Sequence, residues 1–242
     1  MTGFRALADE AGLVVAMPSA IGEFWNDGRY ASMANEGPDD VGYLVAVLDD
    51  VAARVPIDLD RVYVVGMSNG ATMAGRLACE HAERLAGLGQ VAGTAALELA
   101  LGAAPAGTLS VISIHGTGDR YAPYEGGRRS GLRARFWLRN PAGHAQGVEQ
   151  WASFWARVDH LDGDPTTETI SQDTTVLRWK GATDRLGQTG GPEVVIYRVE
   201  GGGHTWPDST FTLPSFIFGR TSRTFSATRV IWDFLASHSR GS

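Results

Sequence analysis

The sequence predicts an α/β fold built on a mostly parallel sheet with helices on both faces. Three observations point there. Short runs rich in β-branched residues, at 61–65, 109–114 and 193–199, alternate with segments of helical period. The runs are apolar on both faces, as strands covered by helices on either side must be. The chain has 242 residues, 43% hydrophobic and 20% charged, which suits a single domain over 1–242 with a sizeable core.

From the N-terminus, Leu13, Val14, Val15, Ala16 and Met17 form an apolar run that Pro18 ends; it reads as a buried strand. A Gly-rich, aromatic loop follows from 21 to 37. Asp39 or Asp40 then caps a helix whose apolar positions (Val41, Leu44, Val45, Leu48, Val51 and Ala52) step by three and four until Pro56 stops it. Val62, Val64 and Val65 mark the next strand, Gly66 to Gly70 a tight turn, and 71–81 a helix. Strands follow at 85–92 and 109–114, and another at 193–199 with Val194, Val195, Ile196 and Val199. The last helix starts near Ser226 and buries Val230, Ile231, Phe234 and Leu235.

The stretch from about 120 to 192 is least regular and reads as an excursion over the strand ends. One helix inside it, at 146–158, turns Trp151, Phe154 and Trp155 inward. Arg128, Arg129, Arg133, Arg135 and Arg139 read as solvated, and 162–173 as polar turns.

Composition excludes several classes. A net charge of −6 argues against nucleic acid or an anionic membrane as partner. No run approaches the roughly 20 apolar residues of a membrane span, and no signal-peptide pattern opens the chain. The single cysteine, Cys79, cannot form an internal disulfide and reads as a core residue of the 71–81 helix. No His-x-x-x-His or Cys-rich spacing suggests a metal, and no cofactor is expected.

The chemistry centres on Gly66-Met67-Ser68-Asn69-Gly70. Between a strand and a helix, Gly-x-Ser-x-Gly is a nucleophile elbow: small flanking residues let the backbone pass closely while the serine takes a strained conformation. The chain contains 31 glycines, so the pentapeptide alone arises readily by chance, and its strand-before, helix-after context decides. A serine nucleophile needs a base, and the base needs an orienting acid. Asp119 follows the 109–114 strand through His115-Gly116-Thr117-Gly118, and His204 follows the 193–199 strand through Gly201-Gly202-Gly203. Ser, Asp, His is the chain order such folds use. Asn69 is expected to offer its backbone N–H to the oxyanion. His115 reads as a structural neighbour of the acid. His81, His144, His160 and His238 read as solvent-exposed.

These segments resemble the polyhydroxybutyrate depolymerase-like esterases, which include feruloyl and acetylxylan esterases, within the α/β-hydrolase superfamily. The resemblance rests on the elbow, His115 to Asp119, the run Gly201-Gly202-Gly203-His204-Thr205-Trp206-Pro207, and Trp25-Asn26-Asp27-Gly28-Arg29. It implies a serine carboxylesterase with Ser68, Asp119 and His204 as its triad. Trp25, Asn26 and Trp206 become candidates for the substrate pocket, with loop packing as the alternative for each. Relatives normally carry about 50 further residues before the point where this chain starts, including the first strands and a second oxyanion donor. Either the start is assigned too late or the chain is truncated; if truncated, the resemblance implies missing N-terminal strands, an open sheet edge and weakened catalysis.

Three functional readings follow: an esterase acting on small or oligomeric esters, a peptidase or thioesterase on the same triad, and a weak or inactive binding protein. Location stays open between secreted or periplasmic, if the true start lies upstream, and cytoplasmic. The sequence does not set the oligomeric state.

Overall fold

The computed structural model describes residues 2–29, 37–127, 144–161, 163–181, 191–211 and 214–240. Among the described residues six strands form one sheet in the order β1-β2-β3-β6-β5-β4. They are β1 (Tyr63–Met67), β2 (Gly87–Val91), β3 (Ser110–Gly116), β4 (Thr166–Ser171), β5 (Thr174–Lys180) and β6 (Glu193–Val199). β1, β2, β3 and β6 run parallel, and β5 and β4 return antiparallel.

Helix α1 (Phe4–Ala11) precedes the sheet. Helix α2 (Asp40–Arg54) starts at Asp39, whose Oδ1 accepts the Gly42 N–H at 2.9 Å, a side-chain cap for one of the first-turn donors. Helix α3 (Asn69–His81) leaves β1 after a single intervening residue. α4 (Leu97–Gly102) and α5 (Val148–Val158) complete one face. There Leu88, Trp151, Trp155 and Ile196 are buried together. α6 (Ser215–Phe218) is a short turn of helix. α7 (Ala227–Ala236) covers the opposite face, burying Ile231 and Leu235 against Ile112 and Val195. With helices on both faces of a mostly parallel sheet, the fold is α/β.

The register brings the strand ends into line. Met67 pairs with Val91, Val91 with Ile114, and Gly116 with Val199. Because β1, β3 and β6 point the same way, the residues just after each of them, Ser68, Asp119 and His204, emerge at one edge. Ligands bind at the carboxyl ends of strands in open α/β sheets for this reason.

Three expectations need correction. Residues 13–17 form no strand: the segment is extended but pairs with no ladder, and Val14 and Met17 are 52% and 64% exposed. Apolar composition cannot make a strand without a neighbour to hydrogen-bond. The tract 163–173 is not only turns. Thr166–Ser171 is β4, which a two-residue turn joins to β5, so the excursion widens the sheet. β4 is nearly all exposed and lacks an apolar run, which hid it. His238 is buried rather than solvated; its Nδ1–H donates to the Phe234 carbonyl at 2.8 Å. The five arginines at 128–139 lie outside the described residues, as does Asp162.

Asp159, just past α5, gives a stability prediction. Its Oδ1 accepts the Leu109 N–H at 2.9 Å, while Oδ2 has no partner among the described residues. Burial pushes its carboxyl up to about 7, with the Leu109 bond opposing. A raised carboxyl contributes stability that is fully present below about pH 4 and is lost as pH rises to about 7. Asp159→Asn keeps the Leu109 bond and removes the buried charge. At pH 8.5 it is expected to raise Tm by about 5 °C, with the gap closing near pH 4. Thermal melts of both proteins at the two pH values check this; a constant gap would contradict it.

Candidate active site

Ser68 alone separates β1 from α3 and must reverse the chain. It does so at φ 56 and ψ −120, a left-handed φ that non-glycine residues rarely adopt. The reversal works because neighbouring backbones come very close. A Cβ on Gly66 would sit 2.2 Å from the Gly70 carbonyl oxygen, and one on Gly93 would sit 2.6 Å from that of Ser68. A Cβ on Gly70 would meet nothing within 4 Å. The second glycine of the pentapeptide is thus not sterically required, and Gly93, outside the motif, is. Gly66→Ala is expected to destabilise by about 3 kcal/mol or more, while Gly70→Ala stays within about 1 kcal/mol of the parent. Urea denaturation midpoints check the contrast, and equal losses would contradict it.

Gln90 steadies the turn from below. Fully buried in β2, it donates from Nε2 to the Ala71 and Thr94 carbonyls (2.7 and 2.9 Å) and accepts the Trp151 indole N–H on Oε1 at 2.6 Å. It ties the first turn of α3 to α5. Sequence reasoning passed over it, although a lone amide in the apolar run 85–92 was the available signal.

Ser68, His204 and Asp119 lie in one line of hydrogen bonds. Ser68 Oγ is 2.8 Å from His204 Nε2, and His204 Nδ1 is 2.7 Å from Asp119 Oδ2. Asp119 and His204 are buried and Ser68 is half-buried, so the hydroxyl faces outward while its partners are shielded. Asp119 Oδ1 accepts the N–H groups of Tyr121 and Ala122 at 2.7 and 2.9 Å. Burial alone would raise the Asp119 carboxyl. The hydrogen bond from His204 and the Ala122 N–H outweigh it and hold the group below its ordinary value. The acid is therefore ionised. A carboxylate on Nδ1 places the proton there and leaves Nε2 free to accept from Ser68.

His115 is buried beside this pair. Its Nε2–H donates to the Ala122 carbonyl at 2.7 Å, and the same nitrogen is 3.6 Å from Asp119 Oδ2. Burial drives its proton affinity down despite Asp119 and Ala122, so the ring is neutral and fixes the loop that carries the acid.

Asn69 follows the serine, and its backbone N–H, the first of α3, has no intrahelical acceptor. Its side chain holds the 25–29 loop: Oδ1 accepts the Trp25 N–H at 2.7 Å, while Nδ2 donates to the Trp25 carbonyl at 3.1 Å and to Asp27 Oδ2 at 2.5 Å. Asp27 is fully buried and also binds Arg29. Trp25 is half-buried and stacks on Tyr43 at 6.4 Å. Asn26 fastens the loop: its N–H binds Asp40 Oδ2 at 2.6 Å and its carbonyl accepts from Arg76 at 2.8 Å. Trp206 is buried on the α7 side, its indole N–H donating to Thr228 Oγ1 at 3.1 Å and its ring edge-on to Phe4. Asn26 and Trp206 are thus buried in the fold, while Trp25 is half-buried and bonded to Asn69, the residue after the serine. Asp27 carried no signal of its own in the sequence.

Cys79 lies in the core, its thiol pushed up to about 12 by burial and then by the charge of Glu80, which makes it a packing residue. Among the described residues no group of three His, Cys, Asp or Glu is placed to hold a metal, and no helix is long and apolar enough to cross a membrane.

The chain is similar to several known proteins. It is 30% identical over 240 residues to a protein named "Putative esterase NocK" from Nocardia uniformis subsp. tsuyamanensis, covering 97% of this chain and 68% of that one. It is 23% identical over 209 residues to Feruloyl esterase B of Piromyces equi, covering 84% of this chain and 36% of that protein. With Feruloyl esterase D of Neurospora crassa it shares 31% identity over 124 residues, 51% of this chain and 41% of the other. The chain thus spans about two thirds of the first relative and well under half of the other two. No family model matches it. Matched along nearly its whole length and folded as the α/β class requires, the chain belongs to this esterase family, the carboxylic ester hydrolases.

Proposed function

We propose that the chain hydrolyses carboxylic esters through an acyl-enzyme on Ser68, with His204 as base and Asp119 as its orienting acid. One observation carries the reading: the unbroken line Ser68 Oγ, His204 Nε2, His204 Nδ1, Asp119 Oδ2 at 2.8 and 2.7 Å. As the Ser68 oxygen bonds to the ester carbonyl carbon, its proton passes to His204 Nε2. Asp119 stabilises the imidazolium so formed. The carbonyl electrons move to oxygen, where the Asn69 N–H donates. Collapse breaks the ester C–O bond, and the leaving alkoxide takes the Nε2 proton. Water repeats the sequence on the acyl-enzyme, releasing the acid and restoring Ser68.

The acyl group proposed is a hydroxycinnamate, a hydroxyalkanoate of the polyhydroxybutyrate depolymerase kind, or an acetyl carried on a polysaccharide, presented as a small or oligomeric ester. Trp25 is the proposed pocket wall. Two of the relatives are named feruloyl esterases, which places methyl ferulate first in any panel. The test compares methyl ferulate, p-nitrophenyl acetate, 3-hydroxybutyrate oligomers and acetylated xylan with a peptide anilide and an acyl thioester. An oxyester kcat/KM at least ~10-fold above both others is the expected result. Faster amide or thioester cleavage would overturn it in favour of a peptidase or thioesterase.

A second reading, a weak catalyst or binding protein, has one observation in its favour. The N–H groups of Trp25 and Asn26, in the loop that Asn69 holds, are already bound to Asn69 Oδ1 and Asp40 Oδ2. That leaves the Asn69 N–H as the oxyanion donor identified among the described residues. One donor fewer lowers the rate by about 10² to 10³.

A further inference from the structure

His204 ends a glycine loop that the end of β3 holds on one side, where the Gly118 N–H donates to the Gly202 carbonyl at 2.9 Å and the Gly201 N–H to Thr117 Oγ1 at 2.8 Å. A strap, Phe218 to Arg220, holds it on the other. The His204 N–H donates to the Phe218 carbonyl at 2.6 Å and the Gly203 N–H to the Arg220 carbonyl at 2.8 Å. Gly202 and Arg220 form a parallel bridge. A Cβ on Gly203 would lie 2.1 Å from the Phe218 oxygen, so loop and strap are in direct backbone contact. The Phe218 ring stacks on Tyr121 at 5.0 Å, and Tyr121 lies 5.4 Å from the His204 ring. The strap thus borders the imidazole through both backbone and rings.

The strap belongs to no strand of the sheet, and a polar anchor fixes it. Arg220 Nη1 donates to Asp173 Oδ2 at 2.6 Å, and Nη2 to the Glu200 carbonyl at 2.5 Å. Asp173 occupies the β4–β5 turn and is 8% exposed. Its Oδ1 accepts the hydroxyls of Ser171, Thr174 and Thr224 at 3.0, 2.9 and 2.8 Å, and its carbonyl accepts the Glu200 N–H at 2.8 Å. Burial would raise this carboxyl, yet the hydrogen bonds of Arg220, Thr224, Thr174 and Ser222 hold it far below the ordinary range, so it is an anion that the cluster is built around. Asp173 thus holds the entry to the His204 loop through its backbone carbonyl, at Glu200, and the strap through its carboxylate, at Arg220.

We infer that Asp173 and Arg220 are positioning residues for His204, transmitting the rigidity of the β4–β5 hairpin through the strap carbonyls to the imidazole. The inference rests on the reading of His204 as the base. Neither residue touches the serine. Their effect runs through geometry, and a displacement of about 1 Å can lower a rate by about 10²-fold. The Arg220 side chain is 47% exposed, so its ion pair adds little to global stability. A rate loss larger than the stability loss is the signature that separates positioning from general support.

The experiment uses the full chain with p-nitrophenyl acetate. Asp173→Asn and Arg220→Ala are expected to lower kcat about 10-fold with KM within about twofold. Arg220→Lys should recover about a third of the activity, and added guanidinium ion should raise the rate of Arg220→Ala severalfold. Arg240→Ala is the control. It loses bonds of the same kind, to Asp60 Oδ1 and the Glu83 carbonyl, at the far end of the strands, and should match the others in melting temperature while keeping its kcat. If Asp173→Asn does not fold, the three Arg220 measurements decide. Unchanged kcat in Arg220→Ala, or a loss equal to that of Arg240→Ala, would overturn the inference while leaving Ser68 as nucleophile. A parent protein that neither turns over substrate nor reacts at Ser68 would overturn the underlying reading instead.

Discussion

Ser68→Ala is expected to reduce kcat/KM for an activated ester by about 10⁴-fold or more. The hydroxyl is the group that His204 Nε2 meets at 2.8 Å, and among the described residues no other side chain hydrogen-bonds that nitrogen. Alanine keeps the Cβ that the φ of 56 already tolerates, so the elbow itself should survive. Unfolding midpoints are therefore expected to agree within about 1 kcal/mol while activity disappears. Steady-state kinetics beside urea melts check both halves. Residual turnover within 100-fold of the parent would mean that another group attacks the ester.

Asp119→Asn should act almost as strongly, for a different reason. The two N–H donors on Oδ1, from Tyr121 and Ala122, orient any amide placed there so that its oxygen takes their bonds. The amide nitrogen then faces His204 Nδ1 and donates to it. That forces the histidine proton onto Nε2, where it can no longer accept from Ser68. The expected loss is about 10³ to 10⁴ in kcat with little change in KM. The buried anion that had stabilised the imidazolium is lost as well. A loss below about tenfold would show that Asp119 only packs against the loop.

The chemistry was more legible than the architecture around it. That Ser68, Asp119 and His204 would meet could be expected because each lies in a short loop after an apolar strand, and parallel register sends such ends to one edge. The 193–199 strand and the last helix were legible for the same reason, since burial on both faces or on one stripe leaves a clear hydrophobic pattern. Three things were not. The run at 13–17 has the composition of a strand but no pairing partner, and pairing is a property of the sheet rather than of the segment. β4 is exposed threonine, glutamate and serine, held by its backbone to β5, so it carries no hydrophobic signal. The links that hold the site together, Asn69 to Asp27, Gln90 to Trp151 and Asp173 to Arg220, span 42, 61 and 47 residues, and polar pairs at that separation have no periodicity to read.

The site also shows a division between precision and attachment. Asp119 and His204 are buried and multiply bonded, yet each stands on a loop beyond its strand. His115 bonds the loop of Asp119, and both the end of β3 and the Phe218–Arg220 strap bond the loop of His204. The serine, by contrast, is fixed by the turn itself, through Gly66 and Gly93. Substitutions at the supporting residues should therefore change kcat more than they change binding.

The central claim is that Ser68 is an activated nucleophile, and reaction with a fluorophosphonate probe tests it most directly. Intact-mass analysis of the treated protein should show one phosphonyl adduct per chain, peptide mapping should place it on Ser68, and Ser68→Ala should remain unmodified. Labelling should slow in Asp119→Asn, where the base has the wrong tautomer. An unmodified parent protein, or an adduct on any residue other than Ser68, would contradict the account.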